Sequence, residues 1–290
     1  MLAELSSEER RAGRTAAAAR GELDETRFES LARDGSCPHC ADCRTGYDWS
    51  FLDGVYCISL RSRPDRAARA ARELHRVGLC SQARFYRPDR DHELPARGIW
   101  ESHRTVARHA LGRGLERVLV LEDDVRFARW IRPRTVARVR RALETLPADW
   151  RILYLGHLPL RAYPVGLGVL RTRSGCAHAY IANRELLRWL AATPFAPVAR
   201  EVGGMVGRGI DAAYRAMPGA YAVFPMLAVQ APVTSDHMAT GEKPIRRLKH
   251  LITRSPLRPY LLSFAMRPAE WAALMLSPLW WWLEREERRA

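Results

Sequence analysis

Val118-Leu-Val-Leu-Glu122-Asp-Asp124-Val125 constrains what this chain can fold into more than any other stretch. Four apolar residues without a polar break describe a strand covered on both faces, the pattern of a parallel α/β sheet rather than of a strand with one wet side. The run stops at three adjacent carboxylates. Like charges that close raise one another's pKa, so holding them together costs free energy that a cation would relieve. All-oxygen donors suit Mg²⁺, Mn²⁺ or Ca²⁺. Ligands of open α/β sheets gather beyond the carboxyl ends of the strands, where these acids fall. A solvated acidic turn is the plain alternative.

The flanking sequence supplies an alternating pattern. Val55-Tyr-Cys-Ile-Ser-Leu60 reads as a first strand. Ser62-Arg-Pro-Asp65 reads as a capping box with Ser62 as N-cap, opening a helix that runs through Ala68, Ala71 and Leu74 to Gly78, a natural C′ residue. Phe85-Tyr-Arg87 gives a short second strand. A second helix is expected from near Ser102 to Gly112 or Gly114, and a third from Pro133 with Val136, Val139 and Leu143 inward. Ile152-Leu-Tyr-Leu155 is a further strand, ended by Gly156. Strands near 177–181 and 221–224 and a helix over 184–191 complete a mixed second half. The alternation is that of βαβ units. Residues 51–242 then form the main domain, preceded by an extension over 1–50 and followed by a tail over 243–290.

With 290 residues, 47% hydrophobic and 27% charged, the chain is globular and long enough to bury a sizeable core. Its net charge of +15 points to polyanionic partners: nucleic acid, anionic lipid or phosphorylated substrates. The basic residues are spread over helices without an aromatic-interleaved patch, so no nucleic-acid partner is expected. Cys37, Cys40 and Cys43 crowd together, but their spacing chelates zinc only with a further ligand, and free thiols or a disulfide compete with that reading. Cys57, Cys80 and Cys176 have apolar neighbours and read as core.

The opening residues lack an apolar stretch, and no segment reaches the ~18 apolar residues of a membrane span. A cytoplasmic protein is expected. Lys243, Arg246, Arg247, Lys249, Arg254 and Arg258 form a basic run ahead of an uncharged stretch, 271–283, that holds Trp271 and Trp280-Trp-Trp282. Too short to span, this tail suits an interfacial helix on an anionic membrane face; a core cap or subunit contact is the alternative.

Taken in order, several pieces resemble glycosyltransferase family 25, which includes bacterial lipooligosaccharide galactosyltransferases and the domain that modifies collagen hydroxylysine. They are the first strand with Arg63-Pro-Asp-Arg66, Gly98-Ile-Trp-Glu-Ser102-His103, the strand ending in Glu122-Asp-Asp124, Trp150-Arg-Ile-Leu-Tyr-Leu-Gly156, Ala177-His-Ala-Tyr180, Gly209-Ile-Asp211 and Tyr221 to Pro225. Ser59 stands where that family usually has asparagine, and the block around 157–176 is brief. The resemblance covers roughly residues 51–236.

It implies a GT-A-like nucleotide-sugar transferase fold with a Rossmann-like mixed sheet, inversion at the sugar carbon, and a UDP-sugar donor, galactose first. Mn²⁺ or Mg²⁺ would be held by Glu122 and Asp124, and the acceptor would be a glycan, glycolipid or glycoprotein. Such an ion neutralises the departing diphosphate. Candidate nucleotide contacts are Arg61, Arg63, Arg66, Asp89, Ser102, Glu122 and Asp123. Inversion needs a base for the acceptor hydroxyl; the candidates are Asp211, His103 and Asp236. Two other classes compete: a basic nucleic-acid-binding protein, and a metal-dependent phosphohydrolase using the same acids.

Overall fold

The structure, a computed structural model, describes residues 23–32, 46–195, 200–202, 205–207, 209–231, 272, 275 and 276. A 3₁₀ turn, Glu25–Arg27, leads into β1 (Phe28–Ser30). Then come β2 (Gly54–Ile58), α1 (Pro64–Arg76), β3 (Ala83–Tyr86), α2 (Pro95–Gly112), β4 (Val118–Glu122) and β5 (Val125–Phe127). The second half holds α3 (Pro133–Thr145), β6 (Ile152–Gly166), β7 (Val169–Ala182), α4 (Arg184–Ala192), β8 (Arg200–Val202), β9 (Met205–Gly207), α5 (Ile210–Arg215), β10 (Ala220–Val223) and β11 (Ala228–Gln230).

A seven-stranded mixed sheet runs in the order β1-β3-β2-β4-β7-β10-β6, with β6 also paired to β7. Strands β3, β2 and β4 are parallel, and β7 lies antiparallel to β4. The apolar runs explain the layering. Alternate residues of β2 and β4 point to opposite faces and both sets are buried. Val55, Cys57, Leu119 and Leu121 pack under α1 and α3 through Leu74, Val136 and Val139. Tyr56, Val118 and Val120 pack under α2, α4 and α5 through Val106, Ala110, Leu187 and Tyr214. The helices thus sandwich the sheet.

Differences from the sequence reading have local causes. The N-cap of α1 is Arg63, not Ser62, and it makes no side-chain cap bond. Asp65 instead takes the Arg63 fork through Nε and Nη2, both at 3.0 Å, which holds its carboxyl down at about 2. Helix α2 begins at Pro95, a full two turns before Ser102, because proline presets the first helical φ while Asp91 accepts from the Leu94 N–H at 2.8 Å. Ser102 is therefore mid-helix, its hydroxyl donating to the Gly98 carbonyl at 2.7 Å. The sheet also takes in Phe28–Ser30, from the segment read as an extension, as an antiparallel neighbour of β3. Trp49 is buried and donates to the Val77 carbonyl. Cys57, Cys80 and Cys176 are buried, as their apolar neighbours foretell. Cys37, Cys40, Cys43 and nearly all of the tail lie outside the described residues, and no described helix is long and apolar enough to cross a membrane.

Gly156 does not end its strand. β6 and β7 form a long hairpin broken by register shifts, one of them at Tyr154/Gly156. The bulged ribbon bends until β10 pairs in parallel with Ile152–Tyr154 and antiparallel with Val169–Arg171, the base of one arm and the tip of the other. At the bend a Cβ on Gly156 would lie 2.3 Å from the Ala228 carbonyl oxygen and 2.4 Å from His178 Nε2, too close for any side chain. Gly156→Ala should therefore lose about 1–3 kcal/mol of stability, measured by urea unfolding; a neutral result would mean that the ribbon's bend is not fixed there.

Candidate active site

Where β2 and β4 end, the chain leaves in opposite directions, through α1 to β3 on one side and eventually to β6 on the other. This is the topological switch point of the sheet, and its crevice lies at the carboxyl ends of the two strands. Ile58 stands beside Glu122, and the Asp123 N–H carries the ladder one step further by donating to the Ile58 carbonyl at 3.1 Å. The acidic triplet is therefore delivered to the expected place.

The pleat then separates the triplet. Period-two alternation sends Glu122 toward α2 and Asp123 toward α1. Asp123 is 6% exposed and both its oxygens are engaged: the Ser59 hydroxyl donates to Oδ2 at 2.8 Å, and Arg66 Nη2 sits 2.6 Å from Oδ1. The same Arg66 nitrogen lies 3.5 Å from Asp124 Oδ2, so one guanidinium bridges two carboxylates. Burial pushes the Asp123 carboxyl up to about 6 despite Arg66 and Ser59, which pull it down.

On the other face, His103 Nε2 lies 3.6 Å from Glu122 Oε1, an ionic rather than a hydrogen-bonded distance. His103 Nδ1 is 2.7 Å from the Tyr180 hydroxyl, which is 2.9 Å from that of Tyr214. Burial pushes both phenols well up, so both remain protonated at neutral pH. With both phenols protonated, Tyr180 donates to His103 Nδ1 and Tyr214 donates to Tyr180, while His103 Nε2 faces Glu122 without a hydrogen bond among the described residues. The two phenols and the imidazole thus stack up behind a carboxylate whose side chain is 29% exposed, against 1% for His103.

The structure thus brings together Arg66, His103, Glu122, Asp123 and Asp124. Other candidates stand elsewhere. Arg61 is exposed, Arg63 is taken by Asp65, and Asp89 is exposed and paired with Arg27 at 2.9 Å. Ser102 is spent on its own helix. Asp211 does not cap α5, whose N-cap is Gly209; its Oδ1 accepts from the Ala177 N–H at 2.8 Å, tying α5 to β7. Asp236 lies outside the described residues. Ser59, Tyr180 and Tyr214 were not among the candidates. Only the alternation of β7 placed Tyr180 on the His103 face, and α5 brought Tyr214 from further along the chain. Among the described residues no group of three or more His, Cys, Asp or Glu side chains is arranged to hold a metal ion. A groove of about 300 Å³ bounded by Gly54, Arg84 and Arg113 opens at the amino end of β2, away from these acids.

No family model and no curated protein matches the chain. Matches among solved structures include the crystal structure of mouse xyloside xylosyltransferase 1 in its apo form, with a TM-score of 0.27 and 8% identity, covering 47% of this chain and 68% of that one. An overlap that loose carries nothing about chemistry. What the fold and site define by themselves is a mixed α/β protein with a Rossmann-like βαβαβ half and an acidic switch point.

Asp123 gives the site a pH signature. Its folded value of about 6 exceeds the ordinary 3.8, so the folded state holds a proton that the unfolded chain has released. The contribution is full below pH 3.8 and is lost as pH rises through 6, by at most about 3 kcal/mol. In urea unfolding between pH 4 and 7, the stability of wild type relative to Asp123→Asn should fall by roughly that order. A difference independent of pH would place the Asp123 carboxyl in a far wetter setting.

Proposed function

We propose that this chain is a glycosyltransferase that moves a hexose, galactose by the sequence resemblance, from a UDP-sugar to a glycan, glycolipid or glycoprotein acceptor. The observation that carries the reading is the set of carboxylates at the carboxyl end of β4, at the switch point, beside the arginine-bearing loop that follows β2. Arg61, exposed on that loop, is open to a pyrophosphate, whereas Arg63 is held by Asp65. Arg66 holds Asp123 and Asp124 in place rather than contacting the donor.

The donor set is not a ready-made metal cage. Mg²⁺ and Mn²⁺ commonly take only one or two carboxylates and complete their shell with substrate phosphates and water. Asp124 suits the direct ligand, with Glu122 reaching the ion through water. When bound, the ion would offset the charge that develops on the leaving diphosphate. His103 is too deeply buried to meet an acceptor and acts by orienting Glu122. Asp211, half-buried on α5, keeps the role of base for the acceptor hydroxyl in this reading.

Asp124→Ala should abolish Mn²⁺-dependent stabilisation by UDP-sugars in thermal-shift titrations while leaving the cation-free melting temperature nearly unchanged. Unaltered donor binding would remove Asp124 from the site. UDP release that needs a glycan acceptor marks a transferase; equal release without one marks a hydrolase.

Attachment to an anionic membrane face through the basic, tryptophan-bearing tail belongs to the same proposal. Chain cut after Leu251 should stop co-floating with vesicles rich in anionic lipid. Continued flotation would move the contact to another surface.

A further inference from the structure

Beside the Tyr180–Tyr214 pair, the wall formed by α5 and the hairpin contains donors that nothing among the described residues satisfies. Asp211 and Arg215 are one turn apart on α5 and both face the 175–177 stretch of β7. Asp211 binds the Ala177 N–H, and Arg215 Nη2 lies 3.8 Å from where a Cβ on Gly175 would stand. Arg215 Nε and Nη1 are buried and have no hydrogen-bond partner among the described residues, nor is Arg215 in any ion pair there. The Tyr154 hydroxyl is in the same condition, in a residue 1% exposed. Tyr154 is a cross-strand neighbour of Tyr180. It lies within electrostatic range of Arg215, Asp211, Tyr214 and Cys176.

Leaving such groups unmatched is costly. An unpaired buried hydroxyl costs stability, and guanidinium nitrogens withdrawn from water cost more. The backbone beside them is strained as well: Cys176 has φ 66°, a left-handed conformation uncommon for a side chain other than glycine or asparagine. Gly175 before it has no side chain and leaves open the space against the guanidinium. Strain and unmet donors together mark a place shaped for something other than stability. A guanidinium can only donate, and the phenol beside it has a proton to give. Their common complement is an acceptor bearing negative charge.

We propose that Arg215 and Tyr154 form a subsite for an oxyanion, a carboxylate or a phosphate group, on a ligand bound over the 175–177 stretch. On the transferase reading it would hold the acidic group of the acceptor, since it lies on the Glu122 face of the sheet and not on the Arg66 face. The subsite itself does not require that reading.

The test is binding by the full chain at constant ionic strength. Sodium phosphate, sodium glucuronate and galactose are each titrated against thermal unfolding, with sodium chloride as the blank. Phosphate, glucuronate or both should raise the melting temperature and galactose should not; which anion acts identifies the group. Arg215→Gln should weaken the response by about tenfold to a hundredfold, and Tyr154→Phe by less. Arg134→Gln, on an exposed arginine of α3, should leave it intact. Without anion, Arg215→Met should melt above wild type because it removes an unmatched charge, which also shows that the variant folds. No response to either anion, or a response lost equally in Arg134→Gln, overturns the subsite. An Arg215-dependent response in a protein that releases no UDP from any UDP-sugar upholds the subsite and removes the transferase reading.

Discussion

The buried Arg66 guanidinium holds the carboxyl end of the sheet together. It reaches from the second position after Pro64 to two consecutive carboxylates on a different strand, 2.6 Å from one and 3.5 Å from the other. Removing Arg66 or Asp123 strands the other charge in the interior, so those two persist only as a pair, with Asp124 at its edge. Ser59 completes the tie from the end of β2. Helix α1, strand β2 and strand β4 are thereby locked at the one point where the sheet's topology opens a crevice.

That lock divides the work of the acidic triplet. Asp123 is structural, closed in by a cation and a hydroxyl. Asp124 stands at the edge of the same cluster. Glu122 belongs to another neighbourhood, backed by His103, Tyr180 and Tyr214 from α2, β7 and α5. Three carboxylates adjacent in sequence therefore meet two different environments, and chemistry shared among them needs a ligand large enough to reach both faces of the sheet's end.

The parts of the fold legible in the sequence were those written by burial on both faces. The runs at 55–58, 118–121 and 152–155 and the proline opening α3 each have one physical solution. The hairpin arms were not legible, because residues 157–174 mix arginine, proline and glycine with apolar residues on a ribbon that bends and changes register. The start of α2 was missed because its signal is Pro95 with Asp91 behind it, whereas Ser102 followed by polar residues imitates a cap from inside the helix. At the site, the position of the acids was legible. Their division between faces follows from strand alternation, but its meaning depends on Arg66, His103 and Tyr180, which arrive from elements distant in sequence.

β10 shows how that distance is managed. Four residues, Ala220–Val223, join the base of one hairpin arm to the tip of the other. A ribbon bent by bulges has many curvatures of similar energy, and a latch across its two ends selects one of them. The part of the sheet that carries Tyr154, Gly175 and Cys176 takes its shape from a short segment that pairs with neither β2 nor β4, so the two sides of the sheet's end are tuned by separate parts of the chain.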